Sequence, residues 1–154
     1  MNNRPVPVAI ALGSNLGDRD AQFDYAVSRL SQFLSRIRAS TRYDTAPVGV
    51  VGEQPRYLNG AVAGVTLLSA HELLARLQEI ERERGRVRPH ANAPRTLDLD
   101  LVLYGDLVMA DDSLTVPHPR FRDRAFVLEP LAEVAPDMID PITGLTVRAL
   151  LDRL

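Results

Sequence analysis

Leu97-Asp98-Leu99-Asp100-Leu101 is the stretch that most restricts what this chain can build. Its strict apolar-charged alternation has the two-residue repeat of a β-strand with one buried and one open face. Both carboxylates therefore share a face, about 7 Å apart along the strand. Two like charges held side by side are unfavourable unless a cation neutralises them. Aspartate is also a poor strand former compared with Thr or Val. The pair reads either as a ligand set converging on one or two divalent cations, or as the open side of an ordinary amphipathic strand.

Those leucines need a core to enter. A chain of 154 residues, 45% hydrophobic and 25% charged, is long enough to bury one, and a single globular domain over 1–154 is expected. The net charge of −2 gives no general electrostatic reason to bind nucleic acid or an anionic membrane. With no cysteine, disulfides and thiolate chemistry are excluded, which fits a reducing cytoplasm as the expected location. The apolar run Val6 to Leu12 is too short to cross a bilayer and lacks the basic lead and cleavage site of an export signal.

In chain order, that run predicts a first strand, closed by a turn at Gly13-Ser14-Asn15-Leu16-Gly17-Asp18. The turn matches neither a Walker loop nor GxGxxG, so a plain strand-to-helix connection is the simpler reading. Phe23, Ala26, Val27, Leu30, Phe33, Leu34 and Ile37 then follow helical spacing, with Asp18 or Asp20 as N-cap. A second strand is expected over 38–44, followed by an irregular segment over 45–55 whose two prolines and two glycines suggest a lid or binding loop. Tyr57 to Thr66 reads as a third strand, on which Tyr57 and Asn59 share a face. They offer a stacking ring beside an amide, or equally a core aromatic and a turn Asn.

Ser69 and Glu72 form a capping box for a helix with Leu73, Leu74, Leu77 and Ile80 on its apolar side, ended by Gly85. Arg86, Arg88 and Arg95 follow, just before the two aspartates. Guanidinium forks beside a divalent-metal site suit a polyphosphate, since the metal takes some oxygens and the forks take the others. Arg82 and Arg84, still on the helix, read as a solvated face, and His90 is a poor ligand for a hard cation. Gly105-Asp106 turns the chain into a short strand near 107–110, and a proline-stiffened segment over 116–126 carries His118, Arg120, Arg122 and Arg124 as a possible site wall. Pro130 fits the first turn of a helix reaching Ala135, and Val147, Leu150, Leu151 and Leu154 predict a last short helix. The order β-α-β-β-α-β with additions is that of a ferredoxin-like α+β sandwich, an antiparallel sheet with helices on one side. Some domains of this shape bind RNA, but those need exposed aromatics and a basic surface; 5% aromatics and a negative net charge supply neither.

Five blocks also carry a family resemblance. They are Ala11-Leu12-Gly13-Ser14-Asn15-Leu16-Gly17-Asp18, Gln54-Pro55-Arg56-Tyr57-Leu58-Asn59, Gly85-Arg86-Val87-Arg88, Pro94-Arg95-Thr96-Leu97-Asp98-Leu99-Asp100 and Val116-Pro117-His118. In order and spacing, from Ile10 to about Pro136, they resemble 6-hydroxymethyl-7,8-dihydropterin pyrophosphokinase. The resemblance implies transfer of the terminal pyrophosphoryl unit of ATP to the primary alcohol of the pterin, releasing AMP, a step of tetrahydrofolate biosynthesis. It implies two magnesium ions on Asp98 and Asp100, with Arg95 and Arg86 as the chief phosphate-binding and catalytic arginines. ATP, as co-substrate, would meet Gln78, Glu81, Arg86, Arg88, Arg95, Leu101, Thr115, His118 and Arg124. The pterin would lie between Tyr57 and Phe126, its edges read by Asn59 and by the segment holding Thr45, Pro47 and Val48. Loop movement on substrate binding would involve 48–55 and 86–94. The chain departs from relatives in lacking the aromatic and basic residues that often precede the Pro94 motif, and in carrying Pro119 where a tyrosine often follows the histidine. A monomer acting on small molecules is the expected state; a catalytically inactive Mg-ATP-binding regulatory domain is the alternative.

Overall fold

The computed structural model describes residues 4–15, 17–45, 56–85 and 97–154. Among these, strands β1 (Val6–Ser14), β2 (Ser35–Ala39), β3 (Tyr43–Thr45), β4 (Tyr57–Thr66) and β5 (Asp98–Tyr104) form one antiparallel sheet. Their order is β2-β4-β1-β5, with β3 also paired to β4. Helices α1 (Arg19–Leu30) and α2 (Ala70–Glu83) supply the two crossovers, which makes the ferredoxin-like α+β pattern. Helices α3 (Ala125–Val134) and α4 (Val147–Asp152) follow β5.

Alternation along β1 explains how the layers stack. Val8, Ile10 and Leu12 enter a core with Phe23, Leu30, Leu73, Leu77 and Ile80, so α1 and α2 cover that side. Ala9 points the other way, beside Ala61, Ala63, Phe121, Leu128 and Leu131. Alanines on this second face let α3 lie close to β4. The expectation of helices on one side is therefore corrected: α3 and α4 cover the opposite face, because β1 and β4 carry apolar residues at both parities.

Several local boundaries also move. The first strand runs through Gly13 and Ser14, which pair with Asn59 and Leu58 instead of forming a turn. Asp18 is the N-cap of α1, its side chain accepting from the Ala21 amide, but the helix ends at Leu30. Leu34 is still buried in the same core, while Ile37 belongs to β2, so their helical spacing is coincidental. The expected second strand divides into β2 and β3, with Ser40 bonding to β4 between them. Pro130 lies inside α3, five residues after its start, because the apolar side formed by Val127, Leu128 and Leu131 carries the helix through. Leu154 lies beyond α4 and is 59% exposed, so it adds nothing to that helix's buried side. The short strand β6 (Met109–Ala110) pairs with β7 (Thr115–Val116), apart from the main sheet.

The capping box at the start of α2 is complete: Ser69 Oγ accepts from the Glu72 amide (3.1 Å) and Glu72 Oε1 from the Ser69 amide (2.8 Å). That backbone donor is the chief reason the Glu72 carboxyl is held down to about 2. Gly85 closes the helix at φ 75°, a conformation glycine adopts without strain. Ser69→Ala removes one reciprocal bond and should cost about 1 kcal/mol in urea unfolding; an unchanged midpoint would show that the cap contributes nothing. No helix among the described residues is long and apolar enough to cross a membrane.

Candidate active site

The alternating stretch adopts the strand its pattern predicts. Leu97, Leu99 and Leu101 are buried against the α1–α2 side, and Asp98 and Asp100 are half-buried on the opposite face. β5 is an edge strand, and its beginning is held in place from α2: the buried Glu81 carboxylate accepts the Leu99 amide at 2.8 Å. That contact sits between the two aspartates and so fixes the peptide from which both project.

Register across the sheet then brings the separate sequence motifs together. Gly13 of β1 lies between Asp98 on one side and Asn59 on the other, and Tyr43 of β3 is the next residue in that row. Ala11 likewise lies between Asp100 and Ala61. Directly paired residues present their side chains on the same face, so carboxylates and amide face one space across a floor of Gly and Ala. Asp98 and Asn59 are two strand spacings apart, roughly 10 Å. A Cβ at Gly13 would meet Asn59 Oδ1 at 3.4 Å and Tyr57 Cδ1 at 3.8 Å, so both side chains lean over the glycine. Asn59 is 6% exposed, and its Nδ2 donates to the Thr45 hydroxyl, leaving its carbonyl oxygen at the cleft side near Gly13.

The segment after β7 adds a basic and aromatic wall. The His118 amide donates to the Val102 carbonyl of β5 at 2.9 Å, and the Arg120 amide donates to His118 Nδ1 at 3.1 Å. With Nδ1 an acceptor, the neutral ring carries its proton on Nε2. Burial, then the charges of Arg124 and Arg120, pushes the His118 pKa below 6.5, against an upward pull from Asp98. The ring is thus neutral near pH 7. Because the unfolded histidine protonates first, this site loses stability as pH falls through 6.5. An NMR titration of the ligand-free protein should place the His118 midpoint below 6.5, and a midpoint above that value contradicts this environment. Arg124 precedes α3, its guanidinium 5.5 Å from the ring centroid of Phe126 in the first helical turn.

Other expected site residues take different positions. Gln78 is exposed on α2, and Thr115 is exposed on β7. The Leu101 side chain is in the core, so only its backbone could meet a ligand. Glu81, expected at the nucleotide, has its carboxylate on the Leu99 amide. Arg122 turns away to the buried Asp140 (2.6 Å) and forms an anchor, not part of the wall. Pro47, Val48, Arg86, Arg88 and Arg95, and both expected mobile loops, lie outside the described residues. No cluster of three or more metal-ligating side chains occurs among the described residues; the aspartates stand as a pair.

One supporting residue escaped the sequence reading. Glu133 of α3 accepts from the Thr41 amide (2.6 Å), the Thr41 hydroxyl (2.7 Å) and the Tyr43 hydroxyl (2.9 Å), tying α3 to the start of β3. Its partners are some ninety positions away, and no local pattern announces such a link.

A ferredoxin-like sheet with acids at one end of a strand row and an amide and ring at the other defines an α+β protein that gathers polar and aromatic side chains on one face at one end of its sheet. The chain belongs to the 7,8-dihydro-6-hydroxymethylpterin-pyrophosphokinase (HPPK) family, whose model matches residues 9–136. It is 42% identical over 147 residues to the 2-amino-4-hydroxy-6-hydroxymethyldihydropteridine pyrophosphokinase of Methylorubrum extorquens, covering 94% of this chain and 91% of that protein. It is 45% identical over 134 residues to the mitochondrial folate synthesis bifunctional protein of Arabidopsis thaliana, covering 86% of this chain but 24% of that protein. The chain thus spans about a quarter of the length of such plant relatives. A crystal structure of Plasmodium falciparum HPPK-DHPS superposes with a TM-score of 0.76 at 12% identity, over 99% of this chain and 46% of that one, a likeness of fold.

Proposed function

We propose that this protein transfers the terminal diphosphate of ATP to the hydroxymethyl group of 6-hydroxymethyl-7,8-dihydropterin, releasing AMP, and does so as a cytoplasmic monomer. The observation that carries the proposal is the strand row itself. Asp98 and Asp100 share one face of the sheet with Asn59 and Tyr57, across Gly13 and Ala11.

The pterin would stack between Tyr57 and Phe126, where flat aromatic faces suit a planar heterocycle, and Asn59 would read its edge. Thr45 holds Asn59 from behind, fixing which end of the amide faces the cleft. Pro47 and Val48 would border the same ring. ATP would lie toward β5, its base near Gln78, Thr115 and the Leu101 backbone, with Arg86, Arg88, Arg95 and Arg124 on the phosphates. Positions 84–97 join α2 to β5, so Arg86, Arg88 and Arg95 belong to a segment that ends where the aspartates begin, while Arg124 comes from the start of α3.

Asp98 and Asp100 suit magnesium: they are oxygen donors on one half-open face, and this ion commonly takes one or two carboxylates and completes its shell with water and phosphate oxygens. Two such ions, when bound, would supply neutralisation of the phosphate charge and acidify a coordinated hydroxyl. The pterin hydroxymethyl oxygen bonds to the β-phosphorus, the bond from that phosphorus to the oxygen bridging it to the α-phosphorus breaks, and AMP leaves with the electron pair. The alcohol proton would go to solvent or to Asp98, the candidate base that the row supplies. Neutral His118 would donate Nε2–H to a phosphate oxygen without needing to be protonated. Positioning both substrates within bonding reach supplies much of the acceleration.

Supplying ATP, magnesium and the hydroxymethyl pterin should yield AMP and the pterin diphosphate in equal amounts. Release of ADP, or ATP binding with no AMP formed, overturns the proposal; the second outcome would leave an inactive nucleotide-binding domain.

A further inference from the structure

A cavity of about 1070 Å³ lies at the other end of the sheet. On the face covered by α3 its floor is Pro7, Ala63 and Val65, and the chain after α3, from Ala135 to Pro141, forms its wall. The Pro7–Val65 pair in that floor is six residues along β1 from the Gly13–Asn59 row, roughly 20 Å away. The proposed reaction uses none of these residues.

Three exposed arginines, Arg4, Arg36 and Arg38, line this cavity. Among the described residues no hydrogen bond or ion pair of their side chains is present. Two of them are there because β2 carries an extra residue. Ser35 pairs with Val65 and Arg38 with Ala63, three steps on β2 against two on β4. Without the bulge, Arg38 would fall on the opposite face from Ser35; with it, both share the face of Ala63 and α3. The bulge is accommodated at Arg36, which has φ 51°, a backbone conformation unfavourable for any residue with a Cβ. Such strain persists where the surrounding structure enforces it, and it gathers at ligand sites.

The charges are divided between the ends. Asp106 follows β5, at the sheet edge opposite β2, and Asp137 follows α3. An anion is therefore favoured toward Arg36 and Arg38 and repelled toward Asp106. Between them the lining is apolar, and Ile139 at the wall is 54% exposed. We propose that this cavity is a second ligand site, for an organic anion whose apolar body lies on Pro7, Ala63, Val65 and Ile139 and whose acid group meets Arg36 and Arg38.

The test uses anilinonaphthalene sulfonate, an apolar body with one acid group, on the full chain saturated with magnesium, the pterin and a non-hydrolysable ATP analogue, so that the reaction cleft is filled. The probe should bind and fluoresce. The double substitution Arg36→Gly with Arg38→Ala should weaken it by about tenfold or more, the effect expected for losing charge-assisted bonds to the acid group, with turnover unchanged. Glycine at position 36 accepts the positive φ, so this variant relieves strain and should fold. Ile139→Asp, at an exposed position, should weaken the probe independently. Failure of the probe to bind with the cleft filled, or equal affinity in wild type and both variants, overturns the proposal.

Discussion

Asp100→Ala should lower turnover by on the order of 10³-fold, the loss expected when several kcal/mol of charge stabilisation leave the transition state. The fold should survive. Asp100 is half-buried on the face opposite Leu99 and Leu101, so truncation opens no cavity in the leucine core. Asp100→Asn keeps the shape and tests charge alone. Steady-state kinetics with calorimetric unfolding checks both arms; turnover within a few-fold of wild type would remove Asp100 from the chemistry.

The largest stability effect is expected at Asp140. It is 0% exposed and accepts from Arg122 Nε (2.6 Å) and Nη2 (2.9 Å), the Thr143 hydroxyl (2.7 Å) and the Ile142 amide (3.1 Å). Burial alone would raise its pKa, but Arg122, Thr143 and the Ile142 amide outweigh it and hold the carboxyl to about 2. Asp140→Ala leaves the Arg122 guanidinium without its partner and should cost about 3–5 kcal/mol. The folded pKa lies below the ordinary 3.8, so the wild-type contribution is present above 3.8 and lost as pH falls toward 2. Urea unfolding at neutral pH should show the full difference between wild type and variant, shrinking in acid through that window. A neutral-pH loss below about 1 kcal/mol would contradict the anchor. The effect should also reach the candidate site: Arg122 lies two residues before Arg124, and the short 3-10 turn Phe121–Asp123 leads directly into α3 and Phe126. Weaker substrate binding should accompany the lost stability.

Elements whose pattern is local were legible in the sequence. The Leu-Asp alternation, the capping box at Ser69, the stop at Gly85 and the strand from Tyr57 to Thr66 all depend on neighbours within a few positions, and all form where expected. Helical spacing continued past Leu30 into Ile37 because a buried loop residue and a strand residue can mimic two further turns. Pro130 misled in the opposite sense, since local backbone preference yields to the apolar face that α3 lays on the sheet. For the cleft, residue types were readable but their meeting place was not. Asp98, Gly13 and Asn59 join through strand register, while Glu81, Glu133 and Asp140 act on partners reached only by folding. The bulge that turns Arg36 and Arg38 toward the second cavity is likewise a property of the β2–β4 pairing, with no glycine or proline in β2 to mark it.

The most direct measurement is anomalous diffraction from crystals grown with manganese in place of magnesium, a non-hydrolysable ATP analogue and the hydroxymethyl pterin. The account predicts cation peaks about 2.1–2.3 Å from carboxylate oxygens of Asp98 and Asp100, shared with phosphate oxygens, and the pterin ring between Tyr57 and Phe126. Cations bound elsewhere, with both carboxylates uncoordinated while nucleotide and pterin are in place, would contradict it.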